Sequence, residues 1–356
     1  MTTSPPTQIL TELNVQNISV AYDGVTVVKE ADFTLKIGEI GCFLGSSGCG
    51  KSTLLRAIAG FETLSSGCIT FDGIVLSTPT NTVEPENRNM GMVFQDIALF
   101  PHLTIRQNIE FGIQHLNKHE RQARVEHLLT LVELEGFEER YPDSLSGGQQ
   151  QRIALVRAIA PKPKLLLMDE PFSGLDAKLR EELVPDIRTV LLKEKISAIL
   201  VTHDQMEAFA MADHIAIMDK GCIHQSASPY EVYHRPSTRF VASFIGYGDF
   251  LTAKVRDAYS IDSDLGVIKS DIEHGFTIGD EVDLLIRPDD VLHDDDSQFT
   301  GMIMNRWFRG SHFLYRVKLD TGKIIYCFAS SHHNHCVGQS IGLTVDIDHL
   351  VLFAKK

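Results

Sequence analysis

Gly45-Ser46-Ser47-Gly48-Cys49-Gly50-Lys51-Ser52 is the stretch on which the fold turns. It fits G-x-x-x-x-G-K-[ST] at every fixed position. A short apolar run from Gly38 leads into Gly45, and Leu54, Leu55, Ile58 and Ala59 follow at helical spacing until Gly60 stops them. Strand, glycine loop and helix in that order make a phosphate cradle. Glycines let successive amide N–H groups turn inward on phosphate oxygens. The helix that starts near Lys51 adds the positive end of its dipole. The Lys51 ammonium can reach β- and γ-phosphates, the Ser52 hydroxyl can ligate Mg²⁺, and Thr53 can reach the α-phosphate. Positions 45–53 are therefore expected to hold a nucleoside triphosphate with Mg²⁺.

Around this loop the first 240 residues alternate strand-like and helix-like segments. Leu165–Met168, Ile199–Thr202 and Ile215–Met218 are continuous apolar runs ending in polar residues. Such runs suit parallel strands buried on both faces, with chemistry at their carboxyl ends. The first ends in Asp169-Glu170 and is expected to lie beside the phosphate loop. Asp169 is placed to hold Mg²⁺, and Glu170 to polarise an attacking water as general base. His203 ends the second run and is a candidate for the γ-phosphate. Gln95, after Met92-Val93-Phe94, could reach the metal or the water. Ile18–Tyr22 and Ala31–Leu35 look like strands of a smaller antiparallel piece, and Val125, Leu128, Leu129 and Val132 mark a further helix.

Leu145-Ser146-Gly147-Gly148-Gln149 opens another helix, expected over 150–160 before Pro161. Ser146 is a natural N-cap and the two glycines bare the first amides. This second anion site lies almost 100 residues beyond the first, yet one nucleotide has a single triphosphate. The simplest resolution is that the helix caps the γ-phosphate held by another copy of the chain.

These residues together resemble the ATP-binding subunits of ABC transporters over about 230 residues. The phosphate loop, Gln95, the Leu145–Gln149 signature, Asp169-Glu170, the turn Ser173-Gly174-Leu175-Asp176 and His203 stand in the family's order. The resemblance implies an α/β P-loop ATPase: a parallel-sheet core, an antiparallel β subdomain and a helical subdomain at about 96–160. It implies an ATP sandwich dimer in which Ser146, Gly147, Gly148 and Gln149 act in trans, with Asp176 between the sites. It assigns Tyr22 to stacking on adenine. The family more often carries Ala or Asn where Gly174 stands, and the glycine is expected to loosen the contact between sites.

The texture changes near 240, from Phe250 onward, to short runs separated by turn residues, such as 282–287, 314–319, 324–328 and 343–347. This reads as a small all-β barrel, OB-like, over 241–356. Leu285-Ile286-Arg287-Pro288-Asp289 and the stretch Gly301–Leu319 resemble the β-domain appended to ATPases of bacterial binding-protein-dependent importers. The implied partners are a second copy, two permease subunits, against which Phe100–Leu103 would press, and indirectly a substrate-binding protein. The implied place is the cytoplasmic face of the inner membrane. Phe94–Thr104, Ser146–Arg152 and Pro163–Ser173 resemble the ferric-iron branch, although polyamine, sulfate, phosphonate and sugar importers share much of them.

Bulk properties agree with this reading. The chain has 356 residues, 43% hydrophobic and 22% charged, which suits about two globular domains. No stretch approaches the roughly 18 apolar residues of a membrane span, and no secretory signal opens the chain, so a cytoplasmic location is expected. The net charge of −14 disfavours nucleic acid as a partner. A soluble ABC-type ATPase acting on nucleic acid would carry two ATPase halves or a long coiled coil. A P-loop kinase would leave the Leu145–Gln149 helix unexplained. The six cysteines form no CxxC pair. His332-His333-Asn334-His335-Cys336 invites a metal reading, but no partner cluster has ligand spacing, and a polar loop is the expectation. Asp294-Asp295-Asp296 is expected to be a solvated loop.

Overall fold

The computed structural model describes residues 11–347 and 349–355. The chain divides into two compact units, one ending at Pro229 and the other beginning at Tyr230.

In the first unit β1 (Thr11–Tyr22) and β2 (Val25–Lys36) pair as an antiparallel hairpin. Then come β3 (Ile40–Gly45) and α1 (Lys51–Ala59), followed by β4 (Ser66–Phe71), β5 (Ile74–Thr78), β6 (Asn81–Thr82) and β7 (Met90–Val93). A helical segment holds α2 (Ile105–Glu110), α3 (Lys118–Leu131) and α4 (Gly147–Ile159). The chain returns through β8 (Leu165–Asp169), α5 (Ala177–Glu194), β9 (Ser197–Thr202), α6 (Gln205–Met211), β10 (His214–Asp219) and β11 (Cys222–Ala227).

The parallel core runs β11-β10-β3-β9-β8-β7, with β11 the antiparallel edge. Every residue of β3, β8 and β9 is buried, as their unbroken apolar runs require. Strand β9 pairs with both β3 and β8 and stands between them, and the end of β8 still reaches the phosphate loop. The carboxyl ends of β3, β9 and β8 therefore line up side by side. The antiparallel sheet runs β2-β1-β4-β5-β6. Leu54, Leu55 and Ile58 of α1 join one apolar core with Val15, Phe33, Phe43, Leu167 and Ile199, so α1 is fixed to both sheets. Each such side chain contributes about 1.5–3 kcal/mol by leaving water.

The buried Arg88 fastens the far end of α1. Its guanidinium donates to the carbonyls of Ile58 (2.7 Å) and Ala57 (3.2 Å) and to the Ser77 hydroxyl (2.6 Å). The Ala57 carbonyl also accepts from the Gly60 amide at the C-cap (3.2 Å), and the cation suits the negative end of the helix dipole. Burial pushes the guanidinium down to about 10, with Glu84 opposing, so it stays charged at neutral pH.

After α7 (Pro229–His234), which straddles the division, the second unit holds α8 (Arg239–Phe244) and then only strands as regular elements of any length. These are β12 (Asp249–Asp257), β13 (Ser260–Ser263), β14 (Gly266–Lys269), β15 (Glu281–Ile286), β16 (Val291–His293), β17 (Thr300–Phe308), β18 (His312–Leu319), β19 (Ile324–Ser330), β20 (Ser340–Val345) and β21 (Leu352–Ala354). Strands β16-β19-β18-β17-β20 close a small barrel, and β14-β13-β12-β15-β21 form a second sheet that the sequence reading did not separate from it. One core joins them, including Leu251, Leu284, Ile303, Tyr315 and Ile325. Among the described residues no helix is long and apolar enough to cross a membrane.

Candidate nucleotide site

The loop between β3 and α1 is bent by its glycines: Gly50, the N-cap of α1, has φ 104°, a conformation that side chains rarely adopt. No side chain caps α1, whereas Thr104, Asn117, Ser146, Asp176 and Asp204 cap α2, α3, α4, α5 and α6. The first amides of α1 are thus left for an anion. Lys51 is 4% exposed, and its ammonium donates to the carbonyls of Gly45 (2.8 Å) and Ser46 (2.9 Å), folded over the loop it would share with phosphate. Cys49 turns its thiol into the core, where burial pushes its pKa up, leaving its backbone for the loop.

Asp169 ends β8, and its Oδ1 accepts from the Ser52 hydroxyl at 2.7 Å across β9. A hydroxyl and a carboxylate in contact are the hard oxygen donors that Mg²⁺ takes, so the residues present fit that ion. Glu170 follows with φ 46°, in the left-handed region. Its amide donates to the Val201 carbonyl (3.0 Å) and its carbonyl accepts from Ser173 (3.2 Å), so both neighbours hold the strained backbone. The Glu170 carboxylate stands 3.2 Å from Nδ1 of His203, just beyond β9. Val93 pairs with Met168, which puts Gln95, exposed beyond β7, at the same end of the sheet.

Two supports were not legible in the sequence. The Thr202 hydroxyl accepts from the Asp204 amide (3.0 Å), bracing the chain at His203. Arg180 of α5 donates to Asp204 (2.8 Å) and to the Leu175 carbonyl (3.0 Å), tying the turn at 173–176 to that segment. Asp176 itself caps α5 by accepting from the Leu179 amide at 3.0 Å. A methyl group at Gly174 would meet nothing within 4 Å, so this glycine is not required by packing. Tyr22, 42% exposed, ends β1 near the loop. Partial burial, then a hydrogen bond to Glu62, raises its pKa, while its contact with Thr53 of α1 opposes that rise.

The second anion element stands apart. Helix α4 begins at Gly147 rather than 150, because the capping box starts it early: Ser146 accepts from the Gln149 amide, and the Gln149 side chain accepts from the Ser146 amide (3.0 Å). A methyl group on Gly148 would lie 2.8 Å from Leu179, so this glycine serves packing, while Gly147 has room. Among the described residues no hydrogen bond joins Ser146–Gln149 to the loop at 45–53.

A glycine loop, an acid pair and a histidine at the carboxyl ends of β3, β8 and β9 define a P-loop ATPase. The profile of the ABC transporter family matches residues 28–173, and that of the TOBE domain matches 284–353. The chain is 38% identical to the spermidine/putrescine import ATP-binding protein PotA of Clostridium acetobutylicum, over 97% of both chains. It is 38% identical to the putrescine transport ATP-binding protein PotG of Escherichia coli, over 92% of this chain and 89% of that one. The solved structure of cbiO1 from Clostridium perfringens, part of the cbiONQ ABC transporter complex, superposes with a TM-score of 0.56 at 29% identity, covering 62% of this chain and 90% of that one. The chain belongs to the ATP-binding subunits of ABC importers, and it binds and hydrolyses ATP with Mg²⁺ in a complex with permease partners. The expected ferric-iron branch is not supported, since these relatives are named for polyamines. The segments that suggested iron surround the nucleotide site, whose cargo-independent chemistry importers of many kinds share.

Proposed function

We propose that this chain drives import of a polyamine such as spermidine or putrescine, working as a pair that closes on two ATP molecules. The names of two relatives similar over almost the whole chain support the cargo. The carrying observation for the chemistry is the Ser52–Asp169 and Glu170–His203 pairing at three adjacent strand ends.

In this reading the amides of α1 and the Lys51 ammonium grip the β- and γ-phosphates, and Tyr22 stacks on the base. Bound Mg²⁺ would supply neutralisation of the charge that builds on the phosphates. Ser52 and Asp169 would hold it, with Gln95 from the exposed end of β7. Glu170 takes a proton from the attacking water, and His203 holds the Glu170 carboxylate and contacts the γ-phosphate. Ser146 and the amides of Gly147 and Gly148 of one copy cover the γ-phosphate of the other, and Asp176 lies between the two sites. Closure then favours one state of the permease only as far as ATP prefers the closed pair. Exposed Phe94, Phe111 and Tyr141 of the helical segment, with Phe100 packed 4.6 Å from Phe111, suit apolar contact with permease helices. The complex sits at the cytoplasmic face of the membrane, fed by a substrate-binding protein.

Reconstituted with its permease and binding protein, the complex is expected to raise its ATPase rate when spermidine or putrescine is added. Stimulation by ferric ion, sulfate or sugar with none by polyamine would overturn the cargo.

A further inference from the structure

We propose that His293, Asp295, His333 and His335 form a binding site for a divalent first-row transition-metal ion, with Zn²⁺ the best fit, in the C-terminal barrel. One potential ligand atom from each lies within 4.8 Å of all the others. A tetrahedral zinc site needs nitrogen and oxygen ligands about 2.0–2.2 Å from the ion, hence about 3.4 Å apart. The groups must therefore close by about 1.4 Å at most. Asp295 and His333, which are 69% and 42% exposed, are free to make that adjustment.

Three observations carry the site. The Nε2 atoms of His293 and His335 are both buried without a hydrogen-bond partner. An Asp295 oxygen stands 3.1 Å from His293 Nε2, close enough for an ion pair yet not aligned as a hydrogen bond. A buried His335 nitrogen without a partner, beside a His293 nitrogen met only by a carboxylate, is costly, and a ligand that accepts lone pairs removes the cost.

Secondly, the frame is built. The Tyr315 hydroxyl donates to the His333 carbonyl (2.5 Å) and accepts from the His335 amide (3.1 Å). Arg306 donates to the Asn334 side chain (2.6 Å) and the His335 carbonyl (2.9 Å). Both alternate side chains of the loop are thus held to one face, with rings of His333 and His335 each 4.6 Å from that of His293. Such support around a ligand set fixes its orientation.

Thirdly, the topology explains the meeting. Strands β16 and β19 pair in parallel, Leu292 opposite Phe328, so the residues just past each strand emerge at one end of the barrel. The first pair comes from the end of β16 and the acidic run at 294–296, the second from the histidine tract. A cavity of about 430 Å³ that shares His293 and His333 and reaches His312 and Ser330 offers a way in. Imidazoles with one carboxylate suit zinc and its neighbours rather than Mg²⁺. The histidine tract was read as a polar loop for want of partners. The fold supplies them, while His332 and Cys336 stay outside the set.

The test uses the full chain, stripped by chelator, without nucleotide and with Mg²⁺ in excess. Calorimetric titration with Zn²⁺ is expected to find one ion per chain, and Co²⁺ to give the intense visible absorption of a tetrahedral site. Asp295→Asn and His333→Ala, both exposed and safe for folding, are expected to weaken Zn²⁺ at least about 10- to 100-fold. His332→Ala and Cys336→Ser are expected to bind as the parent does. Failure to bind Zn²⁺ over Mg²⁺, unchanged affinity in both weakened variants, or loss on removing Cys336 would each overturn the site.

Discussion

Glu170 sits on a backbone held at φ 46°, and its carboxylate faces His203 at 3.2 Å. Strain of this sort costs about 1–3 kcal/mol and survives where the surroundings impose it. Glu170→Gln keeps size and backbone while removing the proposed base, so ATP turnover is expected to fall roughly 10²- to 10⁴-fold. Retained nucleotide in a filter-binding assay should accompany the loss, and near-normal turnover would refute the assignment. The identities of Lys51, Ser52, Asp169 and Glu170 were legible because motif spacing reports local backbone geometry. Arg88 and Arg180 were not, because their partners lie on elements distant in sequence and no pattern marks them. Another residue-scale consequence concerns Asp290. Burial holds its carboxyl up to about 6, against an ordinary value near 3.8, although the Arg287 amide and the His349 and Arg287 charges oppose this. A carboxyl that binds its proton more tightly when folded contributes least once ionised, so stability falls as pH climbs from near 3.8 to about 6. Asp290→Asn keeps an acceptor for the Arg287 amide, now 2.7 Å away. Its melting temperature is expected to gain on the parent's across that window and to hold a fixed offset above it; a gap independent of pH would contradict this.

Among elements, α4 separates two jobs that the sequence presented as one. Gly147 and Gly148 both read as bare amides, yet a methyl group on Gly148 would press on Leu179 at 2.8 Å, while one on Gly147 would meet Leu175 at an ordinary 3.7 Å. Gly148→Ala must push the half-buried Leu179 side chain aside and is expected to cost about 1 kcal/mol, the low end of overpacking, visible in urea unfolding. Gly147→Ala should fall within about 0.5 kcal/mol of the parent, yet hydrolyse ATP more slowly because its methyl crowds the phosphate of the facing copy. The reverse order would contradict the division. Strand order shows the limit of local signals from another side. Apolar runs gave β3, β8 and β9 their existence, but the full order β11-β10-β3-β9-β8-β7 depends on crossover connections that no single run encodes. The same holds in the barrel, where the parallel contact of β16 with β19 brings together two polar segments that each looked inert alone.

At the scale of the whole molecule, two helix starts expected to meet anions occur in one chain and only one belongs to the phosphate loop. The second was legible from Leu145–Gln149 and is built as a capped helix with its first amides free of the loop. In the proposed closed pair, twofold symmetry would place each loop against the other chain's α4. Cargo was not legible at this scale, since nothing near the ATP site need differ between a polyamine and an iron importer.

Mixing two inactive chains tests the shared site most directly. Lys51→Ala disables the loop and Ser146→Arg blocks the facing helix, so each variant alone should hydrolyse almost no ATP. In a mixed pair both defects fall on one site and leave the other whole, so the mixture is expected to recover roughly a quarter of parental turnover under random pairing. If the mixture stays as inactive as its components while mixed pairs demonstrably form, each chain completes its own site and the account fails.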